Sequence, residues 1–366
     1  MQALILAGGE GTRLRPLTTT YPKPVVPLVD RPFIVFMLDW LRRHGVDDVV
    51  MSCGHMASGV RDVLGDGSAV GVRLRFIEEP RPLGTGGALK FAESVLDERF
   101  LMLNGDVLTD LDLTAQMAQH ERTGARATLA LTPVEDPSAY GLVRTGAGSE
   151  VTEFVEKPSA DQIDTNHISA GAYVLERSVL ELLRPGEPAS IERDVFPRLV
   201  GDGLFAYVGA GYWMDIGTPE RYLQGTFDIL EGTVVTEVGA RMGESFVAVE
   251  DGVENAGRIV PPALVESGCR IGEGARVGGR VVLEHDVAVG AGTTIEQAVV
   301  LRGAAIGANC RLSGCIVGAG VRIGDDCVVE GLSVLGEGVV LGAGNVVANG
   351  ARVSPGVTLP DRALRF

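Results

Sequence analysis

The chain has 366 residues, of which 45% are hydrophobic and 22% are charged, and its formal net charge is −16. The length allows about two domains, and the composition is that of a globular protein with an ample core. The negative net charge argues against binding along a nucleic-acid backbone, although one pocket can still be basic enough to hold a nucleotide. No apolar run approaches the ~20 residues that a membrane-spanning helix needs, so we expect no membrane segment.

Strand and helix patterns alternate from the start of the chain to about residue 232. The run ALILA predicts a buried strand, and PFIVFMLDWLRRHG carries apolar residues at helical spacing before Gly45. The alternation continues through RFLMLNGD, which is typical of parallel strands joined by crossover helices. We therefore predict a Rossmann-like, mainly parallel α/β domain over residues 1–232. Ligands bind at the carboxyl ends of such strands, where both AGGEG and NGD stand.

The pattern changes at about residue 257, after a predicted junction at 233–256. An aliphatic residue, usually followed by Gly, recurs about every six positions in RIGEGARVGG, AAIGANC, CIVGAGVRIGDDC and VVLGAGNVV. This hexapeptide repeat predicts a parallel β-helix over residues 257–366, whose turns stack their aliphatic side chains. Four cysteines in these repeats are predicted to be small buried hydrophobic residues: Cys269, Cys310, Cys315 and Cys327.

The five cysteines form no CxxC pair, and the chain opens on a predicted strand without the basic region of a signal peptide. We therefore expect a cytoplasmic protein with reduced cysteines.

A glycine-rich segment follows the first strand. Gly8, Gly9 and Gly11 leave backbone N–H groups open to an anion, most often a phosphate. The residues after Gly11 fit neither the ATPase phosphate loop nor the dinucleotide fingerprint, because Thr12 and Leu14 stand where those motifs need other residues. A plain tight turn is the alternative, but Arg13 and Lys23 supply donors that suit phosphate oxygens.

The segment GGEGTRLRPLT (8–18), followed by PKP (22–24), matches the signature G-G-x-G-T-R-L-x-P-L-T … P-K-P of the sugar-nucleotide pyrophosphorylases. Further motifs of that family follow in the same order: LGTGGAL (83–89), NGD (104–106), YGLV (140–143), FVEKP (154–158), AGAYVL (170–175) and WMDIGTP (213–219). The chain thus resembles this family over nearly its whole length. The resemblance implies that the terminal coil is a left-handed β-helix.

The resemblance implies transfer of a nucleotidyl group from a nucleoside triphosphate to a sugar 1-phosphate, with release of pyrophosphate. The likeness is greatest to members that join GTP to mannose 1-phosphate, while UTP or dTTP with glucose 1-phosphate remains an alternative. A catalytically inactive regulatory subunit is a further alternative. The retained signature and aspartates disfavour it. Ser169 stands where family members usually carry Asn.

The resemblance also implies a role for each matched residue. The expected catalytic residues are Arg13, Lys23, Asp106 and Asp215, and the two aspartates would bind Mg²⁺. The residues expected to contact the nucleotide are Leu6, Ala7, Gly8, Gly9, Gly11, Thr12, Arg13, Lys23, Gly84, Thr85 and Asp106. The residues expected to contact the sugar phosphate are Tyr140, Gly141, Glu156, Lys157, Ser169 and Gly171.

The histidines have no predicted catalytic role, because a sugar phosphate is already an oxyanion and needs no general base. His44, His55, His120 and His167 are interpreted as scaffold residues. Hexapeptide β-helices in acyltransferases use a catalytic histidine, but His285 is the only histidine after residue 167. We therefore expect an exposed coil residue there and no acyltransferase activity. The β-helix is predicted to form a homo-oligomer.

Overall fold

The computed structural model describes residues 1–54 and 56–365, so the prediction that His55 is a scaffold residue lies outside the described residues. The chain forms two compact units. The first comprises Met1–Gly9 and Ile34–Trp213, and the second comprises Glu10–Phe33 and Met214–Phe366.

The first unit is built on a nine-stranded sheet. Its main path runs, in spatial order, through Val151–Glu156, Gly141–Thr145, His167–Glu176, Arg99–Asn104, Gln2–Ala7, Asp48–Cys53 and Arg73–Glu78. Ala127–Pro133 pairs with His167–Glu176 and with Leu204–Val208.

The predicted Rossmann-like core is confirmed in the four strands from Arg99–Asn104 to Arg73–Glu78. They pair in parallel, with their carboxyl ends at one edge of the sheet. The three strands Gly141–Thr145, Val151–Glu156 and His167–Glu176 pair antiparallel with their neighbours, whereas Leu204–Val208 pairs in parallel with Ala127–Pro133. The sheet is therefore mixed, and its four adjacent parallel strands lie within residues 2–104.

The helices cross over between the strands, as the alternation predicts. Their bounds are Phe33–Arg43, Ala57–Leu64, Gly84–Phe91, Leu113–Thr123 and Phe196–Leu199, with a wider turn of helix at Ile191–Val195. Leu113–Thr123 shows why such a helix begins where it does. The Asp112 carboxylate accepts a hydrogen bond of 3.0 Å from the Ala115 backbone N–H, which caps an otherwise unpaired donor.

The second unit contains the signature segment and three helices, Leu17–Thr20, Pro219–Leu230 and Glu237–Met242. Thr218 caps Pro219–Leu230 by accepting a hydrogen bond of 3.4 Å from the Arg221 N–H, and Pro219 occupies the first turn. The rest of the unit is a coil of short strands.

Each strand of this coil pairs in parallel with a strand about one turn later, as in a β-helix. One face is formed by Glu254–Asn255, Arg270–Ile271, Ala288–Val289, Ala305–Ile306, Arg322–Ile323, Val340–Leu341 and Thr358–Leu359. The other two faces are formed by Val247–Val249, Arg258–Val260, Ala263–Val265, Arg276–Gly278, Val281–Leu283, Thr294–Val300, Arg311–Val317, Val328–Glu330, Val334–Leu335, Val346–Val347 and Arg352–Val353.

Aliphatic side chains fill the interior of the coil. Ile271, Ile295, Leu312 and Val329 belong to one buried cluster. The four cysteines of the repeats are buried there as predicted, and they are free thiols. Among the helices that the structure describes, none is long and apolar enough to cross a membrane.

Candidate active site

The NGD motif leaves the sheet beside the first strand. The Gly105 N–H donates to the Leu6 carbonyl at 2.9 Å. A Cβ on Gly105 would lie only 2.7 Å from that carbonyl oxygen, so the residue must be glycine for the two segments to approach. Asp106 therefore leaves the strand edge next to the end of Gln2–Ala7, as expected for a site at the carboxyl ends of parallel strands.

A bulge brings the AGAYVL motif against the same edge. The register between His167–Glu176 and Ala127–Pro133 shifts between Ser169 and Tyr173. Within the bulge Gly171 has φ of 72°, and a Cβ there would lie 2.7 Å from the Asn104 side-chain nitrogen. Gly171 is thus required by both its backbone conformation and its neighbour.

Ser169 contacts a buried tyrosine. Its hydroxyl lies 3.0 Å from the Tyr173 hydroxyl, whose ring is almost fully buried. Burial raises the pKa of Tyr173, and the Glu192 and Glu156 carboxylates raise it further. Ser169, Tyr173 and the two glutamates therefore belong to one polar cluster.

Glu156 is a half-buried carboxylate in this cluster. Burial raises its pKa, and the charge of Glu192 adds to the effect, while Lys157 and Arg193 oppose it. Among the described residues no protein group donates a hydrogen bond to the Glu156 carboxylate. A half-buried acceptor without a donor suits a ligand that carries hydroxyl groups.

The YGLV and FVEKP motifs are joined by their backbones. The Lys157 N–H donates to the Tyr140 carbonyl at 2.9 Å, and Lys157 has φ of 53°, which is uncommon for a residue with a side chain. A Cβ on Gly141 would lie 2.5 Å from the Phe154 ring. The Tyr140 ring packs edge-on against Trp213 at 5.4 Å, and the Trp213 indole donates to the Ala170 carbonyl at 2.8 Å.

The LGTGGAL motif opens the helix Gly84–Phe91 and packs on the segment before Ile191–Val195. Gly84 has φ of 72°, and a Cβ there would lie 2.6 Å from the Ala189 carbonyl oxygen. The Gly86 N–H donates to that same oxygen at 2.9 Å, while the Thr85 hydroxyl donates to Glu192 at 2.6 Å. The side chain that Gly84 excludes would thus collide with the protein itself.

The first two signature glycines differ in their surroundings. A Cβ on Gly8 would lie 3.4 Å from the Glu79 carboxylate, but a Cβ on Gly9 would meet no atom of the described residues within 4 Å. Both glycines are exposed, whereas Ala7 is buried and Leu6 is partly buried. Protein packing therefore gives no reason for glycine at position 9.

In the second unit, the signature loop folds back on Lys23. The Gly11 carbonyl accepts from the Leu14 N–H at 2.9 Å and from the Thr18 hydroxyl at 2.8 Å. A Cβ on Gly11 would lie 3.1 Å from the Lys23 Cβ. Thr12 begins a short helical turn, Thr12–Leu14, that carries Arg13.

Arg13 and Asp215 lie close together in this unit. A Cβ on Gly217 would be 2.9 Å from an Arg13 guanidinium nitrogen and 3.1 Å from an Asp215 oxygen. The Arg221 guanidinium also pairs with the Asp215 carboxylate, whose side chain is only 13% exposed. The structure thus groups two predicted catalytic residues with an arginine that the sequence did not single out.

Comparisons with known proteins show the family of the chain. A family model described as nucleotidyl transferase matches residues 2–232, and one described as GMPPB C-terminal domain matches residues 259–364. The chain belongs to the nucleotidyl transferase family.

Relatives of this nucleotidyl transferase match all or a large part of the chain. The mannose-1-phosphate guanylyltransferase of Mycobacterium tuberculosis is 36% identical, covering 100% of this chain and 98% of the relative. A UTP–glucose-1-phosphate uridylyltransferase of Synechocystis is 32% identical over 78% of this chain and 83% of its own. The crystal structure of HddC from Yersinia pseudotuberculosis complexed with GMP-PN is 30% identical, with a TM-score of 0.53, covering 62% of this chain and 97% of HddC.

The two aspartates that are predicted to bind Mg²⁺ carry oxygen donors of the kind that this ion prefers. The described residues contain no group of three or more His, Cys, Asp or Glu side chains that could hold a metal alone. Mg²⁺ is commonly bound through one or two carboxylates together with substrate phosphates and water. Asp106 carries such a carboxylate in the first unit, and Asp215 carries one in the second unit.

Several site residues were missed by the sequence interpretation. Asn104, Tyr173 and Glu192 lie among the predicted sugar-pocket residues, and Arg221 pairs with Asp215. Glu192 stands in SIERDVFP (190–197), outside the family motifs named above. Its position in the wider helical turn Ile191–Val195 is the kind of local irregularity that often marks a site, but the sequence does not display it.

Proposed function

We propose that this nucleotidyl transferase converts GTP and mannose 1-phosphate into GDP-mannose and pyrophosphate. The full-length match to the M. tuberculosis guanylyltransferase carries the proposal. The related HddC structure contains GMP-PN, which supports a guanine nucleotide. The Synechocystis uridylyltransferase keeps UTP with glucose 1-phosphate as the second candidate.

The reaction needs positioning and charge neutralisation more than proton transfer. A phosphate monoester has a second pKa of about 6, so the sugar phosphate is already a nucleophilic oxyanion near neutral pH. Its oxygen attacks the α phosphorus, the bond to the β-phosphate oxygen breaks, and pyrophosphate leaves with the electron pair. The protein must therefore offset the repulsion between two polyanions and the charge that develops on the leaving group.

The signature residues would act on the triphosphate. Arg13 would hold the β and γ phosphates, Lys23 would neutralise the α phosphate, and Gly8, Gly9, Gly11 and Thr12 would border the nucleotide. Leu6, Ala7, Gly84 and Thr85 would complete that surface. Asp106 and Asp215 would hold Mg²⁺, which supplies positive charge to both substrates' phosphates when bound.

The polar cluster around Tyr173 would receive the sugar. Glu156 would accept hydrogen bonds from sugar hydroxyls, because its half-buried carboxylate has no protein donor among the described residues. Lys157 would pair with the sugar phosphate. Tyr140, Gly141, Ser169 and Gly171 would shape the pocket, and Ser169 is where the sugar hydroxyls would be distinguished.

The remaining proposals concern the whole chain. We assign the catalytic domain to 1–232, the junction to 233–256 and the left-handed β-helix to 257–366, which the limits of the two family models support.

We place the protein in the cytoplasm, in keeping with its free cysteines. We also propose that the β-helix mediates homo-oligomerisation. His285 has a 52% exposed side chain, which supports the absence of acyltransferase activity.

The decisive experiment measures pyrophosphate release across a grid of GTP, UTP and dTTP with mannose and glucose 1-phosphates. Each pair is run with Mg²⁺ and again with a chelator. A maximum at GTP with mannose 1-phosphate that the chelator abolishes is the expected result. A maximum at UTP or dTTP with glucose 1-phosphate would replace the proposed substrates, and activity that resists the chelator would remove Mg²⁺ from the proposal.

A further inference from the structure

One arginine of the β-helix reaches the signature loop within the second unit. The Arg352 guanidinium donates to the Arg13 carbonyl at 2.6 Å and to the Arg15 carbonyl at 2.9 Å. Both acceptors are main-chain oxygens of the segment GTRLRP. A single planar guanidinium therefore bridges two carbonyls that flank Leu14, and this fixes the path of the loop as well as its distance from the coil.

The coil anchors this arginine firmly. Arg352 begins the strand Arg352–Val353, which pairs in parallel with Val334–Leu335. Val353 packs against the buried aliphatic cluster of the coil, so the backbone of Arg352 is held by the interior of the coil. Its side chain points outward, where it meets the loop.

The loop that Arg352 holds carries Arg13, whose side chain lies near Asp215. A Cβ on Gly217 would lie within about 3 Å of both side chains, so the Arg13 guanidinium and the Asp215 carboxylate border the same small space. A shift of the Arg13 backbone would therefore move its guanidinium relative to Asp215. Errors of this kind are costly, because a displacement of about 1 Å at a reacting group can reduce catalysis about a hundredfold.

We infer that Arg352 is a positioning residue that sets the geometry of Arg13 for the nucleoside triphosphate. This rests on the proposed function, in which Arg13 holds the phosphates that leave as pyrophosphate. The terminal coil would then serve the reaction directly, besides any part in oligomerisation. Its effect should fall on the triphosphate and on pyrophosphate, and should spare the sugar phosphate.

Arg322 provides a matched control. It begins the strand Arg322–Ile323, in which an exposed arginine likewise precedes an aliphatic residue that packs into the interior of the coil. In the described part of the chain its side chain makes no hydrogen bond or ion pair. Arg322→Ala thus removes the same charge from the same coil without touching the loop.

The test compares Arg352→Ala, Arg352→Lys and Arg322→Ala with the wild type. Steady-state rates are measured while each substrate is varied, in the forward direction and in the reverse direction with pyrophosphate. Melting temperatures are recorded for all four proteins. For Arg352→Ala we expect KM for the triphosphate and for pyrophosphate to rise about tenfold, with KM for the sugar 1-phosphate within about twofold. Arg352→Lys should recover part of the loss, because an ammonium can still donate to one carbonyl.

Arg322→Ala should match the wild type. The inference is overturned if the two alanine variants have the same kinetics, or if Arg352→Ala raises all KM values equally together with a lower melting temperature. Calorimetric titration of the triphosphate alone separates this inference from the proposed function. If the wild type binds triphosphate but releases no pyrophosphate with any sugar phosphate, the proposed function fails, and weaker binding by Arg352→Ala than by Arg322→Ala still supports the inference. If the wild type binds no triphosphate, both are overturned.

Discussion

The first unit (the sheet unit) and the second unit (the coil unit) both contain buried or half-buried carboxylates. The two units differ in how the protein satisfies the hydrogen-bonding capacity of these carboxylates. In the coil, Glu250, Glu266 and Glu284 recur at successive turns. The carboxylate of each accepts a backbone hydrogen bond of 2.9–3.0 Å from the following turn, donated by Ser267, His285 and Arg302 respectively. In the sheet unit, Glu156 faces Glu192 and Tyr173 instead, and no group of the described chain donates to it.

This difference separates a structural carboxylate from one that can serve a ligand. A carboxylate that recurs with the period of the fold and binds the backbone is already satisfied by the protein. Glu156 belongs to no repeat, lies beside a second carboxylate and retains its capacity to accept hydrogen bonds. Regular spacing with internal partners therefore indicates scaffold, and an irregular cluster with unused acceptors indicates a site.

The largest expected effect is that of replacing Asp106, the aspartate at a strand end, and measuring it tests whether this residue is catalytic. Asp106→Asn should lower turnover about 10³-fold, because an amide cannot supply the negative charge that a magnesium ligand needs. The measurement is pyrophosphate release at saturating Mg²⁺. Asp47→Asn is the control and should stay near the wild-type rate. Asp47 lies just before the amino end of the strand Asp48–Cys53, whereas Asp106 follows the carboxyl end of Arg99–Asn104. Turnover within about threefold of wild type for Asp106→Asn would contradict the proposed role.

A second effect distinguishes glycines that serve a ligand from glycines that serve packing. Gly9→Ala introduces a methyl group that lies more than 4 Å from the atoms of the other described residues, so the melting temperature should hardly change. If the triphosphate lies over this loop, KM for it should rise about tenfold or more. Gly84→Ala, by contrast, should destabilise the fold by about 1–3 kcal/mol. Gly84 has a positive φ, and the new Cβ would lie 2.6 Å from the Ala189 carbonyl oxygen.

Thermal unfolding and steady-state kinetics on the two variants give both quantities. A Gly9→Ala protein with wild-type KM would remove that residue from the nucleotide surface. Unchanged stability of Gly84→Ala would refute the packing explanation for the LGTGGAL glycine.

A smaller effect concerns the pair of carboxylates in the sheet unit. Burial and then the charge of Glu192 raise the pKa of Glu156, so Glu192→Gln should lower that pKa. Glu156 would then stay ionised to lower pH. The acidic limb of the pH profile of kcat/KM for the sugar 1-phosphate should therefore move to lower pH. Glu273→Gln, at an exposed position in the coil, is the control and should leave the profile unchanged. An acidic limb of Glu192→Gln that moves to higher pH or stays in place would contradict the prediction.

The smallest effect concerns stability in the coil. Burial raises the pKa of Glu284 to about 7, from an ordinary value of 4.5, despite the hydrogen bond from Arg302. The folded state therefore binds this proton more tightly than the unfolded state, and the resulting stability is lost as pH rises from about 4.5 to about 7. Glu284→Gln keeps an acceptor for Arg302 but removes the titration.

Melting temperatures between pH 5 and 8 measure this effect. The variant should gain stability relative to wild type as pH rises, while Glu273→Gln should track wild type. A difference between Glu284→Gln and wild type that does not vary with pH would show that Glu284 does not titrate in this range.

The sequence by itself determined the features that depend on local order. Alternating strand and helix patterns predicted the parallel core, and the six-residue spacing predicted the coil with its buried cysteines. Both follow because side-chain direction is set by the period of the backbone, which any short stretch displays. The unbroken signature from Gly8 to Thr18 likewise identified the family without a structure.

Only the tertiary structure decided which distant segments meet. Glu192 and Thr85 are 107 positions apart, and Arg352 and Arg13 are 339 positions apart, yet each pair is joined by a hydrogen bond. No local period specifies such contacts, because they depend on the order of strands in the sheet and on the stacking of turns in the coil. The same holds for Gly84: the sequence shows a glycine within a family motif, but only the fold shows that the Ala189 carbonyl oxygen excludes a side chain there.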